Sequence, residues 1–201
     1  MNYLYSELSH EKDESHKGPR RKFGAFHFYM ALNEIAEAGR IGRARISEAI
    51  GIGEGSARTL LDGLEHDSLI KRNNAGIVLT EKGRKAVEEL PFSMKEITGS
   101  ALSTGPFSTL AVIRGRAHKV TNGILQRDEA IKNGGTGAIT MIVKGSNLFL
   151  PPDLSLADDA AASHLAFSLL GAREGDAVII GSGNTAILAE QATFFAVSTL
   201  L

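Results

Sequence analysis

The 201-residue chain contains no cysteine and no tryptophan. The first absence excludes disulfides, thiolate nucleophiles and every zinc site that needs cysteine, and it fits a reducing cytoplasm. Long apolar runs are absent as well. The best candidate, Thr185 to Leu201, is interrupted by Glu190 and Gln191 and falls short of the roughly 20 apolar residues that a membrane span requires. No charged amino-terminal segment leads into an apolar run, so no signal peptide is expected. The six histidines form no H-x-x-x-H pair, and neither a metal site nor a cofactor is expected. No serine stands in a G-x-S-x-G context, and no catalytic residue is assigned. The net charge of -1 is unevenly spread: about -3 over residues 1–16, about +3 over 17–90 and about -1 over 91–201. That basic excess allows a few phosphate contacts and no more. What is present, 43% hydrophobic and 22% charged residues, is the composition of an ordinary globular protein long enough for two small domains.

The most informative stretch runs from Gly51 to Leu79. Ala57, Leu60, Leu61 and Leu64 recur at the i, i+3, i+4, i+7 spacing of one helix face, which predicts that they point into a core. At about 100° per residue the opposite face is Gly55, Thr59, Asp62 and His66, flanked by Ser56, Arg58 and Gly63. Its first turn and a half is small and polar, so nothing bulky keeps the backbone from a polar groove such as the major groove of DNA. Asp62 opposes that reading, because a carboxylate on the same face repels phosphate. Ile70 to Arg72 and Ile77 to Leu79 read as two strands around the turn formers Asn73, Asn74, Ala75 and Gly76.

Upstream, residues 1–22 are polar and of mixed charge, the composition of a mobile tail. Its end, Lys17, Arg20, Arg21 and Lys22, is either a solvated charge run or a basic arm that follows DNA. Phe28, Ala31, Leu32 and Ile35 predict a first core helix ending near Gly39, with Phe26, Phe28 and Tyr29 as core aromatics. A second helix from about Ala44 to Ile50 turns Ile46, Ala49 and Ile50 inward and carries Arg43 and Arg45 near its start. Gly51 breaks it. Two helices, a glycine turn and a third helix make a helix-turn-helix, in which the third helix enters the groove. The hairpin adds a wing, Thr80 caps a further helix, and Pro91 ends that helix. The expected organisation is a tail over 1–22, a winged helix-turn-helix over 23–91 and a domain over 92–201.

In the second half, extended runs at Phe107–Arg114, Ala138–Lys144, Leu148–Leu150 and Ala177–Ile180 are interleaved with helices near Gly123–Lys132, Ala157–Leu170 and Asn184–Leu201. A further strand is placed near Met94–Leu102. The mixture predicts a small mixed α/β (α+β) domain around one sheet. NGGTG, from Asn133 to Gly137, reads as a glycine C-cap. GSGNTA, from Gly181 to Ala186, fits a G-x-G-x-x-A loop. A dinucleotide site also needs a second parallel strand and an acidic residue about 20 positions on, and the sequence stops at Leu201. The expected feature is a tight turn with Asn184 as helix cap, and the amides of Gly181, Ser182, Gly183 and Asn184 are candidate ligands for a small anionic effector. Asp158 and Asp159 suit a helix N-terminus. The last helix is apolar on nearly every side, so it either forms the centre of the second domain or covers a partner subunit.

GEGSARTLLDGL together with Leu79, Thr80, Lys82 and Gly83 resembles many prokaryotic winged helix-turn-helix regulators. With QRDEAIKNGGTGAITMIVKGSNLFLPPD (126–153) and GDAVIIGSG (175–183) in this order, the chain resembles an archaeal family of two-domain proteins. That family has an amino-terminal winged helix and a carboxy-terminal domain of unknown function. The likeness runs from about Ala44 onward and implies a winged-helix fold and a role in transcription, with no activity, ligand or catalytic residue attached. The expected function is a cytoplasmic DNA-binding regulator whose second domain senses a ligand or forms a homodimer. Ser56, Arg58 and Thr59 would meet double-stranded DNA at its bases, on a reading edge that begins at Gly55, and Arg43, Arg45, Lys71 and Arg72 at its phosphates. Two alternatives stand beside it: a small phosphate- or nucleotide-handling enzyme carrying a winged helix, and a protein-docking module.

Overall fold

A computed structural model of the protein describes residues 23–152 and 155–201. The tail placed at residues 1–22, with Lys17, Arg20, Arg21 and Lys22, lies outside them. The chain divides into two compact units between Leu90 and Pro91.

In the first unit, α1 (Ala25–Ala38), α2 (Arg43–Ala49) and α3 (Glu54–His66) precede a hairpin of β1 (Ile70–Asn73) and β2 (Gly76–Leu79), and α4 (Glu81–Glu88) closes it. The periodic apolar residues form the core: Leu32 and Ile35 of α1, Ile46 of α2, and Ala57, Leu60, Leu61 and Leu64 of α3 are all buried. Phe26, Phe28 and Tyr29 are buried with them, so the aromatic residues of α1 are packing residues. The strands pair Ile70 with Leu79 and Asn73 with Gly76, and the Asn73 side chain closes the turn by accepting from the Ala75 N–H at 2.9 Å. Ile41 adds a third extended residue by exchanging backbone hydrogen bonds with Ile77. The Thr80 hydroxyl caps α4 by accepting from Gly83 N at 3.0 Å. Three helices with a sheet-edged hairpin make a winged helix.

The second unit is built on a six-stranded antiparallel sheet. Its strands are β3 (Phe92–Ile97), β4 (Phe107–Ile113), β5 (Gly137–Lys144), β6 (Asn147–Leu150), β7 (Ser155–Leu156) and β8 (Ala177–Gly183), in the order β3-β4-β8-β5-β6-β7. β8 is central and buried along its whole length. α5 (Ile124–Lys132) and α7 (Ala186–Ser198) pack against each other and against the sheet. A second cluster gathers Val178 and Ile180 of β8, Met141 and Val143 of β5, and Ala162, Leu165 and Ala166. Those last three residues belong to one helical segment, α6 (Ala160–Ser163), continued by a π-helical stretch at His164–Leu169. The expected regular helix over Ala157–Leu170 is therefore shorter and partly π-wound, with Leu170 N–H bonded to Leu165 O at 3.0 Å. The last helix is resolved in favour of a core element: Ala189, Ala192, Phe194, Ala196 and Val197 are buried within this unit, and Phe194 meets Phe92 edge to face at 6.2 Å. No helix among the described residues is long and apolar enough to cross a membrane.

Candidate nucleic-acid interface

The outward face of α3 carries the residues that periodicity puts there. Gly55, Arg58, Thr59, Asp62 and His66 are exposed and Ser56 is half-buried. The Thr59 hydroxyl donates to the Gly55 carbonyl at 3.2 Å, a local bond that leaves its oxygen free to accept. A Cβ added at Gly55 would meet nothing within 4 Å, so no internal contact requires a glycine there. Glycine inside a helix costs about 1 kcal/mol relative to alanine. In the first turn of α3 the fold bears part of that cost with no packing return, and the backbone stays bare on its solvent side.

Arg72 departs from the expectation that it meets phosphate. Its guanidinium is turned onto α3, where Nη1 pairs with Asp62 Oδ1 at 2.7 Å, Nε donates to Glu65 Oε2 at 2.8 Å and Nη2 also reaches Glu65. The Arg72 N–H donates to Glu65 Oε1 at 3.1 Å. The physical reason is proximity: β1 runs back along α3, and two carboxylates one turn apart meet the first guanidinium of the strand. The hydrogen bond from Arg72 holds the Glu65 carboxyl below its ordinary range, and the same bond raises Arg72. Asp62, the charge that opposed an anionic partner, is thus paired with the wing, sharing one guanidinium with Glu65, and β1 is fastened to α3. Arg43 is loosely engaged, 3.9 Å from Glu54. Arg45, Arg58 and Lys71 are exposed and have no ion pair among the described residues. Arg40, which the sequence reading passed over, belongs with them. It is exposed, and its side-chain stem lies over the wing, 3.0 Å from where a Cβ on Gly76 would stand. The signal that would have revealed it is the Ile41 bridge to Ile77, which long-range pairing hides from local periodicity. Residues 23–90 hold nine Lys and Arg against ten Asp and Glu, so the positive excess of segment 17–90 rests on Lys17, Arg20, Arg21 and Lys22.

The candidate anion loop in the second unit is corrected by the structure. Gly181, Ser182 and Gly183 are the end of β8, paired with Thr109, Ser108 and Phe107 on one side, while Gly181 and Ser182 also pair with Ala138 and Gly137 on the other. The turn is shorter than expected, and Thr185 caps α7, accepting from Leu188 N at 3.3 Å; Asn184 does not. The glycines are there for close packing: a Cβ on Gly181 would lie 2.3 Å from Thr193 Oγ1, and one on Gly183 would lie 2.6 Å from Ala189 N. The Ser182 hydroxyl is taken by Ser108 at 2.8 Å and by the Thr104 N–H at 3.0 Å. β8 is also antiparallel to both neighbours, so the parallel crossover of a dinucleotide fold is missing.

Residues 38–85 match a family profile described as the PH0730-like N-terminal domain, and residues 104–200 match one described as a domain of unknown function, DUF4443. The hypothetical protein PH0730 from Pyrococcus horikoshii OT3 superimposes with a TM-score of 0.75 at 27% identity, over 89% of this chain and 93% of that one. The two profiles and this structure together make the chain similar over both units to a two-domain protein of that kind. Two smaller overlaps involve the hypothetical protein SSo2273 from Sulfolobus solfataricus and a MepR mutant from a multidrug-resistant S. aureus clinical isolate. The first has a TM-score of 0.30 at 21% identity over 33% of this chain and 52% of that one. The second has 0.28 at 23% over 43% and 69%. Overlaps this limited support no functional statement. No curated protein matches. The likeness to PH0730 supports the fold, a winged helix followed by a mixed α/β domain, and it attaches no activity to either.

The first unit brings Gly55, Ser56, Arg58 and Thr59 onto the solvent side of one helix, with Lys71 at the exposed start of the wing. Among the described residues, no group of three or more His, Cys, Asp or Glu is placed to hold a metal ion.

Proposed function

We propose that the first unit binds double-stranded DNA, with the first turn and a half of α3 in the major groove and the protein acting as a transcriptional regulator. The observation that carries this reading is Gly55, an exposed glycine in the first turn of α3 where an added Cβ would meet nothing within 4 Å, which leaves the helix backbone open to close approach. Ser56, Arg58 and Thr59 face bases in this reading. Arg45, Lys71 and Arg40 meet phosphates, with Arg43 joining them once its 3.9 Å pair with Glu54 opens. The clamp of Arg72 on Asp62 and Glu65 offsets one of the two negative charges that oppose an anionic partner. Cytoplasmic location and a two-fold dimer that reads a palindromic site belong to the same proposal, and sedimentation equilibrium of the full chain tests the dimer.

The deciding experiment is fluorescence anisotropy of the full chain with genomic DNA fragments at low and moderate salt. Binding at low salt that falls with added salt is expected, and no binding at low salt overturns the reading. Gly55→Ala, in the first turn of the helix, is expected to raise thermal stability by up to about 0.5 kcal/mol while weakening DNA binding. Arg58→Ala is expected to cost about 1–3 kcal/mol and to relax sequence preference. An equal loss on every sequence would remove Arg58 from base readout.

A further inference from the structure

The second unit holds a groove of about 210 Å³ whose walls include Asn122, Gly123, Arg127, Thr140, Leu150 and Pro151. Two features of the backbone create it. β5 pairs with β8 from Gly137 to Ile142 but with β6 only from Ile142 to Lys144, so among the described residues Ala138 to Thr140 form an open sheet edge. Onto that edge points the start of α5, a nine-residue helix whose N-cap, Gly123, has no side chain to satisfy the first amides. Asn122 Oδ1 takes the Ile124 N–H at 3.1 Å, and the Gly123 carbonyl takes that of Arg127 at 3.1 Å. The N–H groups of Leu125 and Gln126 have no partner among the described residues, as expected of an uncapped helix start.

A helix start alone proves nothing, and Thr140 supplies the independent observation. Its side chain is only 4% exposed, it lines the groove, and its hydroxyl has no hydrogen-bond partner. A buried hydroxyl without a partner is rare because it loses its water and receives nothing in return. The hydroxyl lies against the helix start: a Cβ on Gly123 would come 3.2 Å from Thr140 Cβ and 3.5 Å from Oγ1, and Gly123 itself has φ of 76°. Arg127, exposed and without an ion pair among the described residues, stands on the same wall. The groove therefore gathers a hydroxyl, a guanidinium and the positive end of a helix dipole, with no described carboxylate on its walls. Ile139, Leu150 and Pro151 add an apolar side.

We propose that this groove binds a small oxyanion, a carboxylate or phosphate group, held by the Thr140 hydroxyl, the Arg127 guanidinium and the amides at the start of α5. A short apolar body on the ligand packs against Ile139 and Leu150. The inference is independent of DNA binding, and its test uses no DNA. The full chain is titrated with inorganic phosphate, acetate and butyrate, read by thermal shift and calorimetry. A saturable rise in melting temperature is expected with at least one of them. Phosphate alone identifies a phosphate group; butyrate stronger than acetate identifies a carboxylate with an apolar body. Arg127→Gln and Thr140→Val are each expected to weaken that binding by roughly tenfold or more. Without ligand, Thr140→Val is expected to raise the melting temperature, since an unpaired hydroxyl leaves the interior. No shift with any of the three anions, or the same shift in wild type and both variants, overturns the proposal. Should Thr140→Val fail to fold, Arg127→Gln at its exposed position decides alone.

Discussion

Two carboxylates show how a single side chain sets local behaviour. Asp62 reads from the sequence as a repulsive charge on the helix meant for DNA, and the structure places Arg72 on it at 2.7 Å. Nothing in the i, i+3, i+4 pattern announces this, because the partner comes from a strand rather than from the same helix face. If the clamp matters for an anionic partner, Arg72→Gln exposes Asp62 and Glu65 and weakens DNA binding on all sequences by about 1 kcal/mol, roughly fivefold. Asp62→Asn added to that variant is expected to restore part of the loss; failure to restore any of it would detach Asp62 from the interface. Asp159 is the opposite case, a charge kept inside. It is 5% exposed, and its carboxylate accepts from Ala162 N at 2.8 Å, Ser100 Oγ at 2.8 Å and Leu102 N at 3.2 Å. Burial pushes its pKa up, but those bonds and one from the Ala101 N–H outweigh burial and hold it below the ordinary value. A depressed carboxylate stabilises the fold above its unfolded pKa near 4, and the benefit is lost as pH falls through the lower folded value. Asp159→Asn is therefore expected to cost about 1–3 kcal/mol at neutral pH. The gap in melting temperature from wild type should hold above about pH 5 and close below about pH 4.

Among the elements, the ones with strong local rules were legible and the ones set by neighbours were not. The four apolar residues of α3, the Asn-rich turn of the wing and the Thr80 cap each follow from a rule confined to a few consecutive residues, and each appears at its expected place. β8 ran three residues past its expected end because glycine and serine carry little strand propensity; its extension is fixed by partners on β4 and β5 that lie far away in sequence. The same holds for the π-wound stretch after α6, whose wider turn has no 3.6-residue pattern to reveal it. A chemical motif and a packing motif also look alike in sequence. Gly181 and Gly183 resembled a phosphate loop, and they are the track on which α7 seats Thr193 and Ala189. Gly181→Ala separates the two readings. Its Cβ would stand 2.3 Å from Thr193 Oγ1 and 2.7 Å from Thr193 N, one of them backbone, so the helix must shift. The expected result is a loss of about 1–3 kcal/mol or more by thermal denaturation, whether or not any anion is present. Unchanged stability combined with lost anion binding would return the glycines to the role of a binding loop.

For the whole molecule, charge and motif disagree in an instructive way. The winged helix was legible because its spacing of helices, turn and hairpin is a pattern of the entire segment. The strength of the proposed attraction to DNA is not written in that segment, since residues 23–90 hold one more acid than base. Two of those acids are paired with Arg72, and Arg40, Arg45 and Lys71, with Arg43 once its pair with Glu54 opens, are the cations offered to phosphate. Four further cations, Lys17, Arg20, Arg21 and Lys22, precede α1 in sequence. Each phosphate neutralised contributes about 0.9 to the slope of log K against log salt, so the slope counts the cations in contact. If only the folded unit binds, the slope is about -3 to -4, Lys71→Ala lowers its magnitude by about 1, and neutralising all four upstream residues (Lys17→Gln, Arg20→Gln, Arg21→Gln, Lys22→Gln) changes nothing. If the upstream segment follows the DNA backbone, the wild-type slope is about -6 to -7 and the fourfold variant loses about 3 to 4 of it. The second outcome is the one expected, because four phosphate-facing cations on a unit of net negative charge give little long-range attraction at an ionic strength where the screening length is about 8–10 Å. A wild-type slope that the fourfold variant leaves intact would confine DNA binding to α3 and the wing.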